Sequence, residues 1–242
     1  MPRKKFQPKN KKGRYARRKP RYRRYRRYRS MPIGGDPLVK YTKLRWAHEF
    51  TLDAGSNSHA TKTINMSSCR NPIDAVSTEG SPGGYTALAD MYNRWTVLGA
   101  KISVTFTPVA TDDLQDAVVP GFCGIYFARN TGEFATIAAN GAAALFEQPR
   151  NNKMRRVVGS MLSNGTKITR KYSAKKFFGV TKTNLYANED DYGGTKGADP
   201  QKSCLAEVYT FAIGGNNPGP MSLLVIVDYI VRWSDKETVR AN

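Results

Sequence analysis

From Leu38 onward, apolar and polar side chains alternate with a period of two over short stretches separated by turn-rich segments. In the run 44–52, Leu44, Trp46, His48, Phe50 and Leu52 share one face. In 96–107, Leu98, Ala100, Ile102, Val104 and Phe106 do the same. A third run, Phe122–Phe127, follows the turn signal Pro120-Gly121, and a fourth carries Leu205, Tyr209, Phe211 and Ile213. The last, Leu223–Trp233, places Val225, Val227, Tyr229, Val231 and Trp233 together. Alternation of this kind marks half-buried strands, because successive side chains in an extended chain point to opposite faces. Weaker strands are expected over Ala60–Met66, Met154–Met161 and Lys167–Phe178.

Two segments break the pattern. In Tyr85–Trp95, the residues Tyr85, Leu88, Met91, Tyr92 and Trp95 recur every three to four positions, the spacing of one helix face. Phe134–Phe146 is Ala-rich but interrupted by Asn140-Gly141, which predicts two short helical turns. The segment 187–203 reads as a long loop, of the kind that forms surfaces or contacts between subunits. About eight short strands in one continuous domain predict an all-β fold, a single jelly-roll β-sandwich with long loops.

The first thirty residues, MPRKKFQPKNKKGRYARRKPRYRRYRRYRS, have no such pattern. Their cations are Arg3, Lys4, Lys5, Lys9, Lys11, Lys12, Arg14, Arg17, Arg18, Lys19, Arg21, Arg23, Arg24, Arg26, Arg27 and Arg29, with no acid among them. The chain as a whole has 39 Lys and Arg against 19 Asp and Glu, a net charge of +20. The arm therefore supplies 16 of those 20 charges, and the remaining 212 residues carry only +4. Sixteen like charges without a core-forming pattern cannot offset the entropy of ordering, so the arm is expected to be disordered when free. Cations that meet phosphates release condensed counterions and bind in a salt-sensitive, sequence-tolerant way. Tyr15, and above all Tyr22, Tyr25 and Tyr28 set between Arg pairs, add flat faces on which unpaired bases stack, at roughly 1–3 kcal/mol per base. The same run has the composition of a nuclear localisation signal. Residues 31–37, with two Pro and two Gly, read as a hinge between the arm (1–30) and the folded domain (38–242).

Cys69, Cys123 and Cys204 are scattered and odd in number, which suggests no disulfide framework. The N-terminus has no apolar stretch of the secretory type, and the longest apolar run, Leu223–Val227, is too short to span a bilayer. A soluble protein with no membrane insertion is expected.

An enzyme needs a constellation of groups, and none is visible. His48 sits on the apolar face of its strand and reads as a packed histidine. His59 has no neighbouring Cys or second His. The glycine-rich stretches Gly80–Gly84, Gly193-Gly194 and Gly214-Gly215 match no phosphate-binding fingerprint and read as turns. The acidic groups Asp112, Asp113, Asp116 and Glu189, Asp190, Asp191 could each hold a hard cation, but read better as solvated or ion-paired loop charges. Asn65 and Asn164 stand in glycosylation-type triplets without a signal peptide. No catalytic residue, metal or cofactor is expected. Further contacts to nucleic acid could come from Lys153, Arg155, Arg156, Arg170, Lys171, Lys175 and Lys176, which are interleaved with aromatics, with a solvated strand face as the equally supported reading, and from Trp46 close after the arm, where core packing is the better reading.

The arm with RYRRYRRYR, the Pro/Gly hinge and the single β domain resemble the capsid proteins of circular, replication-protein-encoding single-stranded DNA viruses, the circoviruses and their relatives. Met91–Phe106 (MYNRWTVLGAKISVTF) resembles the segment leading into the fourth strand of those proteins. Lys175–Gly179 (KKFFG) and Val227–Trp233 (VDYIVRW) resemble their later strands. The resemblance implies a jelly roll whose copies close into a small icosahedral (T=1) shell of about 60 subunits. The arms would point inward onto a single-stranded DNA genome and double as a nuclear import signal. Partners would be further copies of the chain, the genome, the host import machinery and an attachment receptor; the location would be the virion and, during assembly, the host nucleus. Small RNA-virus coat proteins and non-viral nucleic-acid-binding proteins, ribosomal or chromatin-associated, are the alternatives. The near-balanced charge of the body counts against the last two, which usually carry basic patches on their folded domains.

Overall fold

A computed structural model describes residues 38–54, 59–73, 80–109, 121–157, 165–212 and 219–236. Its strands are β1 (Lys40–Leu52), β2 (His59–Asn65), β3 (Tyr92–Pro108), β4 (Gly121–Ala128), β5 (Asn152–Val157), β6 (Thr166–Ser173), β7 (Gly193–Thr195), β8 (Leu205–Ala212) and β9 (Met221–Lys236). Short helices α1 (Tyr85–Ala89), α2 (Thr131–Ala139), α3 (Ala142–Phe146), α4 (Ala174–Phe178), α5 (Lys182–Ala187) and α6 (Glu189–Tyr192) lie in the connections.

All ladders are antiparallel, in two sheets ordered β1-β9-β3-β6 and β2-β8-β4-β5, with β7 added to β3. With the three-residue β7 set aside, strands 1, 3, 6 and 8 form one sheet and 2, 4, 5 and 7 the other. The chain crosses between sheets at every connection except β4–β5 and β6–β7, the connectivity of an eight-stranded jelly roll.

The first sheet behaves as its sequence predicts. Leu44, Trp46, Phe50 and Leu52 of β1 are buried while their neighbours face out, and Val225 to Trp233 of β9 are fully buried at alternate positions. Each buried Val or Leu side chain contributes about 1.5–3 kcal/mol through apolar area removed from water. In β3 the expected phase slips. Val97 pairs with Val231 and Gly99 with Ile230, so Leu98 is the extra residue of a bulge. The inward series is Trp95 and Val97, then Ala100, Ile102, Val104 and Phe106, with Leu98 outside it.

Further expectations are corrected. The helix ends at Ala89 rather than reaching Trp95, because Tyr92 and Trp95 are needed in β3, where they pair with Lys236 and Trp233. The strand expected over Lys167–Phe178 stops at Ser173, and α4 follows, closed by Gly179 at a left-handed φ of 71°. The segment 187–203 is built rather than open: α6 leads into β7. Gly193-Gly194 is therefore a strand, not a turn. A Cβ on Gly194 would lie 2.3 Å from the Trp95 ring, so glycine is what lets β7 close onto β3. The strand predicted from Met154 begins at Asn152, and its far end, like Ile213 and Gly214-Gly215, lies outside the described residues.

The central strands of the second sheet, β8 and β4, are buried on both faces. Cys123, Ile125, Ala206 and Val208 point into the sandwich. Tyr126, Leu205, Tyr209 and Phe211 point the other way, into a separate core closed by Phe134 and Ala138 of α2 and Leu145 of α3. The helical pair breaks at Asn140-Gly141 as predicted, with Gly141 at φ 86°.

Candidate nucleic-acid interface

The arm, from Arg3 to Arg29, and the hinge lie outside the described residues. They join the folded body at Leu38, just before β1.

The additional contacts expected on the body divide into two groups. Trp46 is only 4% exposed and packs in the sandwich core beside His48 and Phe50. It is a core residue and not a base-stacking platform. Arg170 is also committed to the fold. Its phase along β6, between Ile168 and Tyr172, turns it inward. There Nη1 donates to the carbonyls of Ile125 (3.0 Å) and Asn151, and Nη2 donates to that of Arg150 (2.9 Å). Its guanidinium lies 4.1 Å above the Phe127 ring. Burial pushes its pKa below the ordinary arginine value.

Lys153, Lys171, Lys175 and Lys176, together with Arg155, are exposed. Lys153 on β5 reaches the Thr169 carbonyl of β6 (2.8 Å), bridging the open edge of the sandwich. Arg156 is paired with Phe122 through the β4–β5 ladder. The edge strands of the two sheets, β5 and β6, thus bring together basic residues that are up to 18 positions apart in sequence, Lys153 to Lys171.

A cleft of about 690 Å³ opens at this edge, lined by Arg129, Arg150, Arg170, Lys171 and Lys176 with Phe127, Tyr172, Phe177 and Glu133. Arg129 and Arg150 were not singled out in the sequence. Each is isolated along the chain, next to the N-cap of α2 and in the loop after α3 respectively, and only the fold gathers them. Glu133, the one acid of the lining, accepts from the Tyr126 hydroxyl (3.0 Å) and the Arg129 amide (2.8 Å). A second cavity, of about 710 Å³, lies on the outer face of the first sheet and shares Lys171 and Tyr172 with the cleft. Its rim is a row in register across four strands: Arg45, Asp228, Lys101 and Lys171. Asp228 is taken by Arg45 at 2.6 Å, which holds its carboxyl below the usual carboxylate range.

The other chemical candidates are structural. Glu189 pairs with Arg232 and accepts from Ser234, Asp190 with Arg94 (2.7 Å) and Asp191 with Lys202 (2.6 Å). That cluster fastens α6 to β9, β3 and the following loop, the ion-paired alternative to cation binding. Asp112, Asp113, Asp116 and Asn164 lie outside the described residues. The Asn65 side chain accepts from the backbone of Ser67 and Ser68, both at 3.0 Å, inside the fold. His59 begins β2 stacked on Phe211, with ring centroids 5.2 Å apart. All three cysteines are free and buried, and burial pushes the Cys123 thiol up to about 12.

No family model and no curated protein sequence matches the chain. Solved structures do. The empty head of turnip yellow mosaic virus is 11% identical, over 87% of this chain and 89% of that one, with a TM-score of 0.41. The decameric BFDV capsid protein is 12% identical over 81% and 99%, with a TM-score of 0.41. A semi-empty VLP of the giant freshwater prawn Macrobrachium rosenbergii nodavirus is 10% identical over 86% and 100%, with a TM-score of 0.44. The jelly-roll assignment rests on the strand order of this chain itself.

Proposed function

We propose that the chain is a viral capsid protein that assembles into a small icosahedral shell and packages a single-stranded DNA genome through residues 1–30. The observation that carries this is the division of charge: 16 of the net 20 positive charges sit in thirty residues attached to a jelly-roll body of near-balanced charge. A tail of that density suits a confined polyanion. In a shell of about 60 copies the arms would neutralise on the order of a thousand phosphates. The Tyr22, Tyr25 and Tyr28 spacing favours strands whose bases are free to stack. The arm doubles as the nuclear import signal, so assembly takes place in the host nucleus. The protein works by assembly and binding, not catalysis. A second reading, an RNA genome, fits the arm's chemistry equally well, since phosphate charge and stacking read no 2′-hydroxyl.

Electron microscopy of the purified chain with and without residues 1–30 tests the proposal. Uniform shells about 20 nm across, on the order expected for 60 copies of a 27.0 kDa subunit, are expected from the full chain. Only monomers and small oligomers under all conditions would overturn it. Deleting the arm should abolish packaging, and nucleic-acid affinity should fall steeply between 50 and 200 mM salt, by roughly 10³-fold or more for six or more phosphate contacts. Digestion of the packaged material by DNase and not RNase selects the DNA reading; the reverse selects RNA.

A further inference from the structure

The cleft at the β5–β6 edge is a second candidate for binding, independent of the arm in its geometry. None of Arg129, Arg150, Arg170, Lys171 and Lys176 makes an ion pair among the described residues, and the single acid beside them is already hydrogen-bonded twice. Five cations facing one occupied carboxylate create a field that an anion of more than one charge would relieve. Arg170 is the deepest of them. Three of its hydrogens go to backbone carbonyls, leaving the Nε hydrogen and one Nη2 hydrogen without a partner among the described residues. Next to it on the same inward face, Tyr172 is 4% exposed, and its hydroxyl has no hydrogen-bond partner among the described residues. That hydroxyl is itself closed off from the cleft, so Tyr172 contributes its ring to the lining. Phe177 on α4, half-buried and edge-on to Tyr172, gives the lining an aromatic face.

We infer that this cleft binds one nucleotide of a single-stranded nucleic acid, its phosphate held by Arg170, Lys171 and Lys176 and its base against Phe177. The combination of a cationic groove and an aromatic platform is the one that sequence-tolerant single-strand binding uses. The second cavity continues the track past Lys171 to Lys101 along the outer face of the first sheet. This inference rests on the reading of the chain as a nucleic-acid packager, but it adds a fixed position on the shell domain to the sequence-tolerant hold of the arm.

The test is photocrosslinking of the full chain to a single-stranded oligonucleotide carrying 5-iododeoxyuridine, with crosslinked peptides mapped by mass spectrometry. Crosslinks to the peptide containing Tyr172 and Phe177 are expected beside those to the arm. The paired substitution Lys171→Glu with Lys176→Glu, both exposed in the fold, should reduce the cleft crosslinks roughly tenfold and leave arm crosslinks in place. Phe177→Leu removes the aromatic face at similar apolar volume and should lower cleft crosslinks about threefold. Crosslinks confined to residues 1–30, or a Lys171→Glu, Lys176→Glu variant whose cleft crosslinks match the parent's, would overturn the cleft. Cleft crosslinks that persist while arm crosslinks are absent would instead sink the arm mechanism and leave the cleft standing. Displacement of cleft crosslinks by pyrophosphate at concentrations that leave the arm bound is the expected competition pattern.

Discussion

The two sheets of the sandwich have opposite outer faces. In β1-β9-β3-β6, β1 alternates buried and open positions almost without a break, and Lys43, Arg45, Lys101, Lys167 and Lys171 stand exposed on the far side. In β2-β8-β4-β5, all eight residues of β8 are buried, because α2 and α3 cover the far side with their own small core. The same fold therefore has one charged sheet and one insulated sheet. A polyanion could therefore meet the body along the bare sheet and around its β6 edge, not across the helix-capped one.

Phe134→Ala is the strongest way to break this contrast. Phe134 holds the α2–α3 cover down, with its ring centroid 5.7 Å from Tyr126 and 5.1 Å from Tyr209. Truncation should cost about 3–5 kcal/mol, read from the denaturant midpoint of unfolding. It should also expose Tyr126 and Tyr209, so tyrosine accessibility to quencher should rise in the second sheet only. A loss under about 1 kcal/mol would mean that the helical pair is an ornament and that both sheets are effectively single-faced.

The same asymmetry decided what could be read from the sequence. Leu44 to Leu52 and Val225 to Trp233 revealed their strands because one face is wet and polar residues mark it. Leu205, Tyr209 and Phe211 also revealed a strand, but the face they define is the outer one, under the helices; the sandwich side is carried by Cys204, Ala206 and Val208. A strand covered on both sides has no polar face to set its phase. Leu98 misled because a bulge resets alternation by one residue, which period-two counting cannot detect. Tyr92 and Trp95 kept helical spacing with Leu88 and Met91, yet pairing with β9 overrode it. Among the candidate site residues, the arm was legible from charge alone. Lys171 and Lys176 were legible as bases among aromatics, while Arg129 and Arg150 became part of a cleft only through tertiary folding. Trp46 follows the core reading that its apolar neighbours favoured, whereas the inward turn of Arg170 was not legible, because burial of a cation is not visible in a single sequence.

A middle-sized test addresses how the insulating layer is started. Asn130 is the N-cap of α2: its side chain accepts from the Glu133 amide at 2.9 Å, while Glu133 reaches back to the Arg129 amide. Asn130→Ala leaves the Glu133 amide only its long 3.4 Å bond to the backbone carbonyl of residue 130 and should cost about 1 kcal/mol. For a domain of this size that corresponds to a fall in Tm of about 2–4 °C by scanning calorimetry. The effect should be well below that of Phe134→Ala, since the cap fixes where the helix begins and Phe134 fixes what it covers.

The smallest effect belongs on the bare sheet. Lys101 sits in the row Arg45, Asp228, Lys101, Lys171, exposed, with its charge near a carboxylate already held by Arg45. The Asp228 carboxyl lies below its usual range first because of the Arg45 hydrogen bond, with Lys101 and Lys43 adding smaller electrostatic contributions. A depressed carboxylate stabilises the fold above its unfolded pKa, and that contribution disappears as pH falls through the folded value. Lys101→Ala should therefore change stability at pH 7 by no more than about 0.5 kcal/mol. The small difference from the parent should vanish in acid as Asp228 protonates. Unfolding measured at both pH values checks each part. A cost at pH 7 as large as that of Asn130→Ala would show that the basic row helps hold the sheet together, and the contrast between a charged sheet free for a partner and an insulated one would fail at its weakest point.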